Sequence, residues 1–282
     1  MHEYDRLLHY IEPLSPLPTP LNPMGKLKER IQCILFDIYG TLFISASGDI
    51  SIAREQSRHT QHLINLLDRY QIKKKPKIVL NDFFSAIDIE HKRLRKTGVD
   101  FPEVEIDRIW TRVLEVDDHD AVRDFAVEFE LIINPVYSMP NLEKMLSGCK
   151  KSKVLLGIIS NAQFFTPYLF NWFLDSSPED LGFQSNLIFY SYKSGHAKPS
   201  PFMFEAAAKN LRDIDISLHS VLYVGNDMLN DIYPAKTVGF KTALFAGDAR
   251  SLRLRENHPK CQSLYADIVI TDLVQISDLV KY

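Results

Sequence analysis

The chain has 282 residues, 45% of them hydrophobic, and a formal net charge of -3. That is long enough for a large α/β domain with a smaller companion, and it provides no broad basic field of the kind that nucleic-acid binding requires. Three scattered cysteines (Cys33, Cys149, Cys261) without CxxC spacing argue against both a disulfide framework and a zinc site. No apolar window reaches membrane-spanning length, and the polar start is unlike a signal peptide, so a cytoplasmic protein acting on a small molecule is expected.

Tyr4, Leu7, Leu8 and Ile11 recur at helical spacing and predict a short amphipathic helix. The proline-rich run 13–23 follows. Its prolines remove backbone donors and favour an extended strap whose interleaved leucines staple onto the protein's own core. The apolar run Ile31 to Phe36 predicts a buried strand ending at Asp37, with Gly40 marking a turn. Thr41 to Ser51 alternates weakly around the turn 45–49, which predicts a small hairpin flap beside Asp37. Four segments, 53–70, 78–96, 105–116 and 121–133, then carry helical apolar spacing, an all-helical block inserted after the first strand.

From Pro140 onward, short runs rich in β-branched and aromatic residues alternate with helices: 153–160, 186–191, 221–224, 241–245 and 268–271. Continuous apolar strands separated by helices indicate a parallel sheet buried on both faces, of about six strands. In such a sheet the carboxyl edges of all strands lie on one side, where ligands bind. That edge gathers Asp37 and Thr41 from the first strand, Ser160 and Asn161 from the second, Lys198 from a following loop, and Asn226, Asp227 and Asp231 from the loop after Val224.

In this order the four pieces resemble the haloacid dehalogenase-like (HAD) hydrolase superfamily. The resemblance implies a Rossmann-like α/β core over residues 28–48 and 149–282, with a helical cap over 49–148 and the strap over 1–27 outside it. It implies that Asp37 is a nucleophile forming an aspartyl intermediate. Ser160, Asn161, Lys198 and the backbone at Tyr39 and Gly40 would hold the transferring group, with Thr41 completing the catalytic set. Asp37, the Tyr39 carbonyl, Asn226, Asp227 and Asp231 would bind Mg2+, whose preference for hard oxygen ligands they match. A monomer or a homodimer is compatible with it.

Two departures from the pattern bear on the reaction. Phosphatases of the family carry an aspartate where this chain has Tyr39, and a phenol with a pKa near ~10 is a poor base at neutral pH. Family dehalogenases carry tyrosine there, because expelling halide needs no proton donor. Against dehalogenation stand the acidic loop with Asp227 and Asp231, which dehalogenases tend to replace, and Phe204 where they would be expected to have tyrosine. The family's main metal aspartate falls on Asn226. The expected activity is therefore a magnesium-dependent phosphatase on a small phosphorylated metabolite, with 2-haloacid dehalogenation and a silent, ligand-binding member as alternatives.

Overall fold

In this computed structural model, which describes residue 7 and residues 10–46 and 60–280, the strand that delivers Asp37 is β2 (Cys33–Phe36). All four of its residues are buried because the side chains alternate between two cores. Ile34 and Phe36 join the larger core, and Cys33 and Leu35 pack with Met203, Phe204 and Leu211 on the opposite face. A strand apolar on both faces has to sit in the middle of a covered sheet. β2 pairs in parallel with β5 (Leu155–Ser160) and β7 (Val221–Gly225).

The seven-stranded sheet runs β1-β9-β8-β7-β2-β5-β6, where β6 is Phe183–Tyr190, β8 Lys241–Phe245 and β9 Ile268–Ile270. Every pairing is parallel except that of β1 (Met24–Gly25), which runs antiparallel along β9. The seventh strand was not legible in the sequence. It is the end of the proline-rich strap, where the chain regains backbone donors and closes one edge of the sheet.

The rest of the strap is fastened by hydrogen bonds. Leu17 N donates to Asp248 Oδ1 (2.9 Å), Thr19 Oγ1 to the Ala246 carbonyl (2.8 Å) and Ala249 N to the Leu17 carbonyl (3.0 Å). Leu14 and Leu21 pack onto buried clusters, whereas Leu17 stays exposed. Most of the predicted N-terminal helix lies outside the described residues, apart from buried Leu7 and the half-buried Tyr10 and Ile11.

The flap expectation is corrected. Strand β3 (Phe43–Ser45) pairs not with a neighbouring segment but with β4 (Val136–Ser138), antiparallel, and residues 47–49 of the proposed turn lie outside the described residues. Between β3 and β4 come α1 (Thr60–Arg69), α2 (Pro76–Lys96), α3 (Ile106–Leu114) and α4 (His119–Ile133). Their shared interior is aromatic. Phe83 stacks on Trp110 with ring centroids 4.2 Å apart, and Phe129 meets Trp110 edge-on at 4.6 Å. Buried Glu128 of α4 accepts from Tyr10 (2.9 Å), from Tyr70 (2.8 Å) and from Arg69, so it joins the strap to α1 and α4.

After β4, α5 (Leu142–Lys151) packs against α10 (Val274–Leu279) on one side of the sheet, together with α6 (Tyr168–Leu174). α7 (Ser191–Ser194) caps β6, and α8 (Phe202–Arg212) and α9 (Tyr233–Thr237) supply the other layer. No helix among the described residues is long and apolar enough to cross a membrane.

Candidate active site

The backbone of β2 stays in register through Asp37, whose N–H donates to the Val224 carbonyl at 2.9 Å. The chain then turns sharply. The amides of Thr41, Leu42 and Phe43 all donate to the Ile38 carbonyl, at 3.2, 2.9 and 3.0 Å. Gly40 sits at φ +80°, and a Cβ there would lie 2.5 Å from Ser251 Cβ and 2.7 Å from Asn226 Nδ2. Only glycine meets both conditions. The Gly40 N–H is taken up by the Phe43 carbonyl at 2.7 Å, which corrects the expectation that it donates to a bound substrate.

Asp37, Ser160, Asn161, Lys198, Asn226, Asp227 and Asp231 meet at the carboxyl edge of the sheet, all but Ser160 lining one cavity of about 330 Å3. Ser160 Oγ donates to Asp37 Oδ1 at 2.7 Å, and Lys198 Nζ reaches the same oxygen at 2.8 Å. Both contacts fall on one carboxylate oxygen. Oδ2 accepts no hydrogen bond among the described residues and is left for the cavity. Lys198 is itself placed by Asn161, whose Oδ1 accepts from Lys198 N at 2.7 Å. The Lys198–Pro199 peptide bond is cis.

The Lys198 ammonium has two further partners, Asp231 Oδ1 at 2.5 Å and the Tyr223 hydroxyl at 3.2 Å. Burial lowers its pKa, but the charges of Asp231 and Asp37 outweigh that and hold it above the ordinary lysine value. For Asp231, burial raises the pKa, Lys198 pulls it down, and Asp37 and Asp227 push it up again. The net direction is upward, chiefly because the group is fully buried, with the two neighbouring carboxylates adding to it.

Asp231 Oδ2 accepts from Asp227 N at 2.9 Å. With both oxygens engaged, Asp231 is the counter-charge of Lys198 rather than an open metal ligand, which revises the role expected for it. Gly225 is needed just before this turn, since a Cβ would come within 2.4 Å of Asp231 Cγ. Residues 228–232 form a single π turn, whose start Asp227 caps by accepting from Leu229 N (2.8 Å) and Asn230 N (3.2 Å).

The same carboxylate takes a two-pronged ion pair from Arg255, 2.7 Å at its shortest. Asp227 is thereby drawn away from the role of open metal ligand that the sequence suggested. Asn226 turns the other way: its Nδ2 donates to the Ser251 carbonyl at 2.6 Å, and its Oδ1 accepts from Thr41 Oγ1 at 3.2 Å. Thr41 is fully buried and does not line the cavity, so its contact with the site runs through Asn226.

Tyr39 does reach the cavity. Its hydroxyl lies 3.1 Å from Thr166 Oγ1, and burial, together with the charge of Glu130, raises its pKa far above that of an ordinary phenol. It stays neutral at any physiological pH.

Several lining residues escaped sequence reasoning: Glu103, Glu130, Arg253 and Arg255. Tyr223, beneath the site, escaped too, although a tyrosine inside the apolar run 221–224 was the available signal, and its hydroxyl donates to the Ile159 carbonyl at 2.8 Å. Arg253 Nη1 bonds to the carbonyls of Arg250 and Leu252 (2.6 and 3.1 Å), and no carboxylate pairs with this guanidinium among the described residues. Five acids (Asp37, Glu103, Glu130, Asp227, Asp231) face three bases (Lys198, Arg253, Arg255), an excess of two negative charges if all ionise.

The chain matches the family model described as haloacid dehalogenase-like hydrolase over residues 31–239. No curated protein matches it. Solved structures similar to it include a 2-haloacid dehalogenase from Pseudomonas syringae, 17% identical with TM-score 0.52, covering 89% of this chain and 98% of that one. A HAD phosphatase from Thermococcus onnurineus is 15% identical with TM-score 0.52 over the same shares, 89% and 98%. YfnB from Bacillus subtilis, described as a HAD-hydrolase bound to magnesium, is 17% identical with TM-score 0.51, covering 90% of this chain and 100% of that one. At such identity the likeness speaks for the fold, and the neighbours include both dehalogenases and phosphatases.

Proposed function

Because this chain belongs to the haloacid dehalogenase-like hydrolases, we propose that it is a phosphatase-type hydrolase of a small phosphorylated compound, with Asp37 as nucleophile. The observation that carries the reading is the state of Asp37. One oxygen is fixed by Ser160 and Lys198 while the other is left toward a polar cavity, which is how a carboxylate is presented for in-line attack. Lys198 and Ser160 keep the nucleophile oriented as charge builds on the transferring group. Arg253, without a carboxylate partner among the described residues, anchors the anionic substrate. Helices α1–α4 act as a cap that excludes water and selects the leaving group.

The residues present fit magnesium in their chemistry. The available donors are hard oxygens, and acidic side chains outnumber basic ones in the cavity lining, five to three. Asp37, the Tyr39 carbonyl and the Asn226 carboxamide oxygen, through the lone pair that Thr41 leaves, would hold the ion, with Asp227 remaining on Arg255. Bound there, magnesium would offset the charge of an incoming phosphate. With one carboxylate in the set, a weak site is expected.

A dehalogenase reading is favoured by Tyr39 and Asn226. The two are separated by measuring phosphate release from a panel of monoesters and halide release from 2-haloacids, each with magnesium and with chelator. Magnesium-dependent phosphate release that disappears in Asp37→Asn is expected. Halide release persisting in chelator, with no phosphate from any ester, would reverse the assignment.

A further inference from the structure

If phosphate esters are cleaved here, some group must give a proton to the departing oxygen and take one from water, and Tyr39 is ill suited to both: burial and the charge of Glu130 make its phenol hold its proton far more tightly than an ordinary phenol, and its hydroxyl is bonded to Thr166. Two carboxyls of the inserted segment line the cavity, and their surroundings differ. Glu103 is occupied at both oxygens, by Ser191 Oγ at 2.8 Å and by Val104 N at 3.0 Å. Glu130 accepts only from Asn134 Nδ2, at 3.1 Å on Oε1, and no cation pairs with it among the described residues.

Glu130 is also firmly seated. It lies in the last turn of α4, and its neighbour Asn134 accepts from Ser45 Oγ at 2.8 Å. Ser45 pairs with Val136 across the β3–β4 ribbon, and Ala46 N donates to the Pro135 carbonyl at 2.9 Å. β3 follows directly on the turn that carries Asp37 and Tyr39. The root of α4 is therefore stapled to the strand leaving the nucleophile loop, and Glu130 is close enough to Tyr39 for its charge to act on the phenol.

We propose that Glu130 is the general acid and base of the Asp37 reaction, supplying from the inserted segment the carboxyl that position 39 lacks. The inference rests on the phosphatase reading. In the first step an Asp37 oxygen bonds to phosphorus, the ester P–O bond breaks, and the Glu130 proton passes to the departing oxygen, giving an alcohol. In the second, the Glu130 carboxylate takes a proton from water as that water's oxygen bonds to phosphorus. The Asp37–phosphorus bond breaks, inorganic phosphate leaves, and Glu130 is protonated again. Burial holds its carboxyl up at about 6, above the ordinary 4.5, so both forms are populated near neutrality.

The test compares wild type, Glu130→Gln and Tyr39→Asp/Glu130→Gln on phosphate monoesters of graded leaving group, from p-nitrophenyl to alkyl. Glu130→Gln is expected to lower kcat/KM by about 10²- to 10⁴-fold on alkyl esters and far less on p-nitrophenyl phosphate. The pH-rate limb near 6 should vanish with it, and the added aspartate should restore alkyl turnover. Unchanged turnover in Glu130→Gln, or a loss equal on every ester with the limb intact, overturns the assignment while leaving Asp37 in place. Wild-type protein that releases phosphate from no ester overturns both readings.

Discussion

Glu130 is a carboxyl placed where ionisation costs free energy, and that cost sets how stability should respond to pH. Its pKa is raised on folding from 4.5 to about 6, mainly by burial. The folded protein therefore holds the proton more tightly, a contribution fully present below the unfolded value and lost as pH rises through the folded one. Glutamine has no such dependence. The melting temperature of Glu130→Gln should rise relative to wild type between about pH 4.5 and pH 6.5 and hold that margin above it, measured by thermal scans in matched buffers. A margin independent of pH would mean that the carboxyl is not buried in this way. Glu130 lay in an apolar helical run of the sequence, where one acidic residue reads as a solvated position. Only the pairing of β3 with β4 brings it to the cavity that Asp37 also lines.

At the scale of elements, the strands were the most legible part of the chain, because burial on both faces leaves uninterrupted apolar runs. The residues that end or directly follow them, Asp37, Ser160 and Asn226, with Asp231 from the turn after β7, are brought to one edge as parallel topology requires. Partners drawn from elsewhere were not legible. Arg255 comes from a long connection with no periodicity, and β4 pairs with β3 from about ninety positions away along the chain.

The turn after β7 shows how tightly one element is specified. Asp231 closes back over Gly225 at a distance that admits no side chain, so Gly225→Ala must push Asp231 off Lys198 and Asp227. Overpacking of this kind costs about 1–3 kcal/mol, and here it also disturbs a buried ion pair. A lower denaturation midpoint with unchanged slope, and a disproportionate loss of activity, are expected. Wild-type values for both would mean that the turn relaxes without cost.

For the molecule as a whole, what ties the helices inserted between β3 and β4 to the rest of the chain matters most. The β3–β4 ribbon fixes their root, and the N-terminal strap reaches them a second time through Tyr10 on Glu128. The strap is fastened mainly through hydrogen bonds of the Leu17 backbone, the Thr19 hydroxyl and β1, over a partly exposed path. Such hydrogen bonds open at less than the global cost. Native-state hydrogen exchange should therefore find the Leu17 and Ala249 amides exchanging well before those of β2 and β7. Protection equal to that of β2 would show that the strap opens only when the whole protein does.

The strap's partners also carry a consequence for biogenesis. Tyr10 waits for Glu128, 118 positions later, Leu17 for Asp248, 231 positions later, and Met24 for Val269. On the ribosome the segment emerges before these partners: Tyr10 meets Glu128 first, whereas Leu17 and Met24 find theirs only once the chain around β8 and β9 has followed. Residues 17–25 are thus among the last to be seated, so a nascent polypeptide halted short of Asp248 would leave Leu17 and β1 undocked.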